Sequence, residues 1–430
     1  MKKEDIKIAV IGLGYVGMPL AVEFSKLYDV LGFDINKDRI DELNSGQDHT
    51  LEIEPEKLTE ALNRGKSGKA GLKFSNDTAK LKDRNVFIVA VPTGIDKFNN
   101  PDLRPLLGAS KTVGEALSNG DLVIYESTVY PGCTEEDCVP VLEKCSGLKF
   151  NKDFFCGYSP ERINPGDKVN TLTKIRKVTS GSTPEIADFV DALYSSILEV
   201  ETFKASSIKV AEASKAIENA QRDVNISFMN ELALIFDKIG IDTNDVIDAA
   251  SSKWNFKQYR PGLVGGHCIG VDPYYLVHKA KAVGYYPEVI SSGRRVNNSI
   301  AEHIANKVMK LMIGKGDRIK GAKVLLMGIT FKENCPDIRN TKVVDIYNEL
   351  IDFGVEVDVY DPWADAEEVK EEYGIEISDK VDNSKLYDGV ILAVAHRQFK
   401  EYDFKRQKEN NAVIYDVKNF LDRDLVDGRL

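Results

Sequence analysis

Histidine and tryptophan are scarce, with 5 and 2 residues in a chain of 430, and neither forms a cluster. The scattered histidines show no metal-ligand spacing, so no metal site is expected. The 6 cysteines are Cys133, Cys138, Cys145, Cys156, Cys268 and Cys335, with no CxxC among them. A chain of this size needs no disulfide frame, so they read as reduced thiols of a cytoplasmic protein. No window approaches ~20 uncharged apolar residues, so no membrane insertion is expected. The apolar stretch Ile6–Phe24 follows Glu4 and Asp5, which spoil the positive region a secretory leader requires. A long basic run is missing too, and the net charge is -11. That excludes non-specific nucleic-acid binding, which needs clustered Lys and Arg. An anionic small ligand is still allowed, because a local cluster can oppose the global charge.

What is present is ample apolar material, 43% of residues, enough for two or three domains. Lys7–Gly12 (KIAVIG) reads as a buried parallel strand. It runs into Gly12, Gly14 and Gly17, a GxGxxG, then a helix over Met18–Lys26. Tyr28–Phe33 is a second strand, ending at Asp34. Strand, glycine turn, helix, and an acid after the next strand make the dinucleotide fingerprint. The glycines let backbone approach a pyrophosphate, and the helix N-terminus offsets its charge. Asp34 would accept hydrogen bonds from ribose hydroxyls and repel a 2′-phosphate, so NAD is expected rather than NADP.

Asn85–Pro92 and Asp121–Glu126 are further strands, ending at Thr93 and at Ser127–Thr128. Ligands gather at the carboxyl ends of strands in such sheets, which points Thr93 and Thr128 at the cofactor. Strand-end threonines that bond their own turns are the alternative. Phe155–Pro165 ends another strand-like run, and puts Glu161 and Arg162 on the same rim unless they are simply a charged surface loop.

Ser206–Gly240 has few helix breakers and a helical stripe of Val210, Ala213, Ile217, Val224, Phe228, Leu232 and Ile235. Lys215 and Asn219 are four apart and share a face, with Arg222 on the same side. An ammonium beside an amide can hold a developing oxyanion; a solvated helix face is the other reading. The helix is long enough to be a spine and a dimer seam. Arg260–Tyr274 (RPGLVGGHCIGVDPY) is a glycine-rich loop carrying Cys268, with Asp272 and Pro273 after it. A thiol on such a loop has open approach and suits a nucleophile, although a lone cysteine is often inert packing. After it, Ser291–Asn298 leads into a helix over Ser299–Ile313. Arg294 and Arg295 are candidate anion contacts or solvated charges.

A charged, glycine-rich linker is expected over Gly314–Lys320. Lys323–Gly328 (KVLLMG), Val355–Tyr360 before Asp361, and Tyr387–Ala395 then repeat the order of the first domain without its GxGxxG. The fold expected is α/β, two doubly wound Rossmann-like domains joined by a long central helix. The boundaries are 1–204, 205–313 and 314–430.

These pieces together resemble the UDP-glucose/GDP-mannose dehydrogenase family almost end to end. The resemblance rests on GLGYVG at Gly12–Gly17, VPT at Val91–Thr93, STVYPG at Ser127–Gly132 and SPER at Ser159–Arg162. It continues in EASKAIENAQRDVNISFMNE at Glu212–Glu231, GGHCIGVDP at Gly265–Pro273, and FKENCPDIRNT at Phe331–Thr341. It implies an enzyme that oxidises a primary alcohol to a carboxylate with two NAD+ and a covalent cysteine intermediate. On that footing Cys268 is the nucleophile, Lys215 and Asn219 hold the oxyanion, and Asp272 moves protons through water. Thr128 and Glu161 bind water or substrate near the reacting carbon. The resemblance implies cofactor contacts from Gly12, Gly14, Tyr15, Val16, Gly17, Asp34, Arg39, Pro92, Thr93 and Thr128. Lys332 and Arg339 of the last domain would close over the cofactor. It implies sugar-nucleotide contacts from Glu161, Arg162, Lys215, Asn219, Arg222, Tyr259, Gly265, Arg294, Phe331 and Lys332.

In UDP-glucose members the SPE motif is followed by a second acid. Here Pro165 falls at that place, in PERINPG, which departs from a two-glutamate hydrolysis. The text is more like the branch acting on UDP-N-acetylhexosamines, UDP-GlcNAc or UDP-GalNAc, for surface polysaccharide precursors. UDP-glucose or UDP-ManNAc is the alternative substrate. Single oxidation of a 3-hydroxy acid, with Cys268 structural, is a rival reading, and a non-catalytic nucleotide-binding regulator is another. A homodimer through the central helix is expected.

Overall fold

The computed structural model describes residues 5–50, 52–67, 70–163, 169, 171–266 and 269–430. Cys268 and Pro165 lie outside these residues. The chain divides into two compact units: Met1–Glu218 with Tyr274–Tyr285, and Asn219–Pro273 with Tyr286–Leu430.

The first unit is built on eight strands: β1 Lys7–Ile11, β2 Asp29–Phe33, β3 Gly71–Ser75, β4 Val86–Val89, β5 Asp121–Tyr125, β6 Phe154–Tyr158, β7 Val178–Gly181 and β8 Phe203–Lys204. Their order is β3-β2-β1-β4-β5-β6-β7-β8. The first six are parallel, in the doubly wound order, and β7 is antiparallel to β6. Helix α1, Gly17–Phe24, follows β1, and α2, Lys37–Asn44, follows β2. β1, β4 and β5 are almost wholly buried, which is why they read as unbroken apolar runs instead of alternating ones. Ile8, Val10, Val30, Ile88 and Ile124 join Leu20 and Phe24 of α1 in one core.

The second unit repeats this order. Its strands are β9 Lys323–Met327, β10 Glu356–Tyr360, β11 Ile377–Ser378, β12 Gly389–Leu392, β13 Val413–Asp416 and β14 Gly428–Arg429. They lie β11-β10-β9-β12-β13-β14, all parallel. One face is covered by Ile300, Ile304 and Val308, and the other by Phe399, Tyr402 and Phe404. Each such fully buried aliphatic side chain contributes about 1.5–3 kcal/mol.

Among the helices in the middle of the chain are α3 Ile208–Ile239, α4 Asp272–Ala282 and α5 Glu288–Lys315. The division between units falls within α3. Four members of its apolar stripe point outward. Val210, Ile217, Phe228 and Ile235 are 46%, 57%, 55% and 47% exposed. Beside Ile208 and Met229, many of the buried positions are small or polar: Ala211, Glu212, Ala216, Ala220, Asp223, Asn230 and Ala233. Small side chains let neighbouring backbone come close. Helix α5 also begins earlier than expected, after Pro287, and absorbs Ser291–Asn298. Its Gly293 lies inside the helix, where a Cβ would meet Ser227 Oγ at 2.9 Å. Asp272, expected on the loop, opens α4, with Pro273 in the first turn where its missing N–H costs nothing.

Candidate active site

In the first unit the glycine turn sits between β1 and α1. A Cβ on Gly17 would lie 1.8 Å from the Gly12 carbonyl oxygen, so no other residue fits there. Gly14 faces open space, with nothing within 4 Å of such a Cβ. Asp34 caps β2 and accepts from Leu13 N–H through Oδ2 and from Asn36 N–H through Oδ1, both at 2.9 Å. It is half-buried, so its carboxylate keeps an open side. A glycine cradle with free space and an anchored acid suits a dinucleotide. Arg39, a cofactor contact in the resemblance, is tied to the turn. It is buried, and its guanidinium donates to the Leu13 carbonyl, Asp48, Glu42 and His49. It props the turn from beneath.

Thr93 is buried, Thr128 half-buried and Pro92 exposed at the carboxyl ends of β4 and β5. Ser127 Oγ donates to the Val91 carbonyl at 2.6 Å and ties these two ends together. Tyr15 and Val16 are half-buried in the turn. Glu161 accepts from Ile163 N–H, and Arg162 pairs with Glu218 and donates to the Arg176 carbonyl at 2.8 Å.

Behind them is a buried cluster that the sequence reading missed. Lys177 Nζ donates to Glu126 at 2.6 Å and to the Pro160 carbonyl at 3.2 Å, and Tyr194 OH donates to Glu126 at 2.5 Å. Burial, against the pull of Lys177, pushes the Glu126 carboxyl up to about 7. Its only signal was an acid ending an apolar strand. Lys215 is buried on α3, three residues after Glu212. Glu212 accepts from Gly132 N–H at 2.5 Å and Thr134 N–H at 2.9 Å, and so pins the loop that follows Thr128. Burial raises its carboxyl to about 7 as well.

The second unit holds the other group of expected residues. Asn219 Nδ2 donates to Asp272 Oδ2 at 2.6 Å, and both are buried. The glycine-rich loop between α3 and α4 is held at two further points. Asn230 clamps Gly262 reciprocally, accepting its N–H at 2.8 Å and donating to its carbonyl at 3.0 Å. Gly266 N–H donates to the Asn340 carbonyl at 3.1 Å. A Cβ on Gly265 would lie 2.4 Å from that oxygen, and one on Gly266 2.7 Å from the Phe331 ring. Backbone is thus laid on backbone, and glycine is the only residue that permits it.

Phe331 and Lys332 are half-buried on the turn after β9. Gly265, Phe331, Thr330, Lys342 and Lys418 line a small cavity of about 20 Å³ there. The two lysines were not singled out in the sequence. Arg339 donates to its neighbour Asp337 at 2.9 and 2.5 Å. Arg294, expected as an anion contact, is 3% exposed and bonds Asp223 and Asn298, each at 2.6 Å. It anchors α5 to α3. Arg222 is exposed and Tyr259 half-buried. Among the described residues no cluster could hold a metal ion, and no helix is long and apolar enough to cross a membrane.

Three family models match the chain in sequence. The NAD binding domain of the UDP-glucose/GDP-mannose dehydrogenase family covers residues 6–198, its central domain 209–299, and its UDP binding domain 325–423. A UDP-N-acetyl-D-glucosamine 6-dehydrogenase of Pseudomonas aeruginosa is 56% identical over 99% of this chain and 100% of its own. Another of that name, from Salmonella typhi, is 54% identical over 99% of both. Among solved structures, a UDP-D-ManNAc dehydrogenase of Pyrococcus horikoshii superposes with a TM-score of 0.87. It is 30% identical, over 99% of this chain and 98% of that one. With a cradle for NAD in the first unit and identity of this order from end to end, the chain belongs to the UDP-glucose/GDP-mannose dehydrogenase family.

Proposed function

We propose that the protein oxidises the C6 hydroxymethyl group of a UDP-N-acetylhexosamine, UDP-GlcNAc first, to the uronic acid, for surface polysaccharide precursors. The observation that carries the mechanism is the buried Asn219–Asp272 hydrogen bond, which holds an amide of α3 against the segment that follows Cys268. Bound in the glycine cradle, NAD+ would supply the hydride acceptor for each oxidation. Cys268 captures the intermediate aldehyde as a thiohemiacetal, then holds the acyl group as a thioester until water releases the acid. Asn219 donates to the oxygen that becomes negative in addition and hydrolysis, with the Lys215 ammonium as the second donor. Lys215 also favours the thiolate of Cys268. Asp272 relays protons through water, and Thr128 and Glu161 position that water. Phe331, Lys332, Lys342 and Lys418 take the uracil and diphosphate end.

The substrate choice is supported by the two relatives named for UDP-GlcNAc, each at least 54% identical over nearly the whole chain. The protein works in the cytoplasm, a reading supported by Cys133, Cys138 and Cys156, free thiols buried without disulfides. It works as a homodimer joined through the outward stripe of α3.

The test is NADH yield with a panel of UDP-GlcNAc, UDP-GalNAc, UDP-ManNAc and UDP-glucose. Two NADH per UDP-GlcNAc consumed, with a uronate product, is the expected result. One NADH, with the aldehyde released, overturns the covalent scheme. A higher kcat/KM with another sugar overturns the substrate choice.

A further inference from the structure

The second Rossmann-like sheet has an acid at the same place as the first, and it is used differently. Asp361 follows β10 as Asp34 follows β2, and its Oδ2 accepts from Ile329 N–H at 2.7 Å, in the turn after β9. Asp361 is fully buried, however, and a histidine fills the space beside it. His396, after β12, is 0% exposed. Its Nε2 lies 3.1 Å from Asp361 Oδ2 and 3.0 Å from Thr330 Oγ1. Its Nδ1 lies 2.9 Å from the backbone N–H of Asn334. Thr330 Oγ1 lies 2.9 Å from the Lys332 carbonyl.

These contacts admit one proton arrangement. A backbone N–H can only donate, so Nδ1 must present its lone pair. The ring is then neutral, with its proton on Nε2, shared between Asp361 and Thr330. The threonine hydroxyl proton goes on to the Lys332 carbonyl. One imidazole therefore fixes both ends of the turn Thr330–Asn334. That turn carries Phe331, which abuts Gly266, and Lys332.

We propose that His396 is the positioning residue of this substrate turn and its proton-operated latch. The neutral ring holds the turn closed. A second proton on Nδ1 faces the Asn334 N–H with another N–H, and that clasp opens. The charged groups on the elements around the ring include Asp361, Arg397, Lys332, Glu333 and Lys418, which lies 4.0 Å from Glu333. Asp361 touches it and favours the added proton; Arg397, whose guanidinium lies 5.6 Å over the Trp363 ring, opposes it. Lys332 and Glu333 are on the turn itself. Trp363 stacks on the imidazole at 6.4 Å, and Phe399 meets it edge-on at 5.2 Å. Both are uncharged.

The stacked indole gives a readout independent of catalysis. The chain has 2 tryptophans, so Trp254→Phe leaves Trp363 alone. In that background, Trp363 emission is followed from about pH 8 to pH 5 and falls on the acid side. Adding His396→Asn abolishes the change. Its amide oxygen can replace Nδ1 as acceptor but does not titrate. In kinetics, His396→Ala raises KM for UDP-GlcNAc about tenfold at pH 8, the affinity equivalent of one lost hydrogen bond, and lowers kcat less. His396→Asn recovers most of that loss and flattens the acid limb of kcat/KM. Emission that stays flat in the Trp254→Phe protein, or that titrates unchanged after His396→Asn is added, overturns the latch. An acid limb that survives His396→Asn, or an unchanged KM in His396→Ala, overturns the positioning role. The kinetic arm rests on the proposed substrate and the fluorescence arm does not, so absence of NADH with every UDP-sugar sinks that reading alone.

Discussion

The Asn219 amide and the Asp272 carboxylate, both buried, meet at 2.6 Å, so each fixes the other's orientation. Asn219→Asp sets two carboxylates against each other there. It is expected to lower kcat by about 10²–10³, the usual loss when an oxyanion donor is removed. KM for NAD+ should hardly move. Steady-state NADH kinetics check this, and a pure KM effect would assign Asn219 to binding only.

Cys268→Ser should leave the first oxidation possible but nearly abolish net acid. The measurement is product analysis by mass spectrometry after prolonged incubation with UDP-GlcNAc and NAD+. Steady turnover to the uronate in this variant rules out the covalent intermediate.

Asp34→Asn turns one of the two oxygens that accept from Leu13 and Asn36 into a donor. KM for NAD+ is expected to rise about tenfold, as for one lost hydrogen bond, and discrimination against NADP+ to relax. Comparing kcat/KM for the two cofactors decides it.

Glu212 makes a prediction about stability and pH. Its folded carboxyl titrates at about 7, above the ordinary value of 4.5. The folded state therefore holds a proton that the unfolded chain releases. This contribution is full below pH 4.5 and is lost as pH rises towards 7, by on the order of 3 kcal/mol. Glu212→Gln removes that slope and also sets an amide N–H against one of the two N–H donors from Gly132 and Thr134. Denaturant melts across this range should show lower stability and a flatter pH dependence.

Phe228 is 55% exposed in the outward stripe of α3. Phe228→Glu should convert a dimer to monomer in light scattering while circular dichroism stays the same. A monomeric parent protein would remove the stripe from any dimer seam.

Much of this protein could be read along the chain because the signals are local. A glycine turn between an apolar strand and a helix, with Asp34 one strand on, is set by backbone sterics and phosphate geometry. Likewise Asp361 announced a second sheet of the same order. What local pattern could not say was which face of α3 is buried. Val210, Ile217 and Phe228 of the apolar stripe are exposed, while Ala211, Ala216 and Ala220 are buried, where small side chains admit neighbouring backbone. Nor could it pair Glu126 with Lys177, Glu212 with Gly132 and Thr134, or His396 with Asn334. These partners are 51, 80, 78 and 62 residues apart. A buried charge or ring nitrogen is tolerable only beside its partner, and which partner arrives depends on how the strands are ordered in space. Sequence alone determined the chemistry and the repeated sheet order; tertiary packing decided which polar groups are sealed from water, and so which ones hold the site in place.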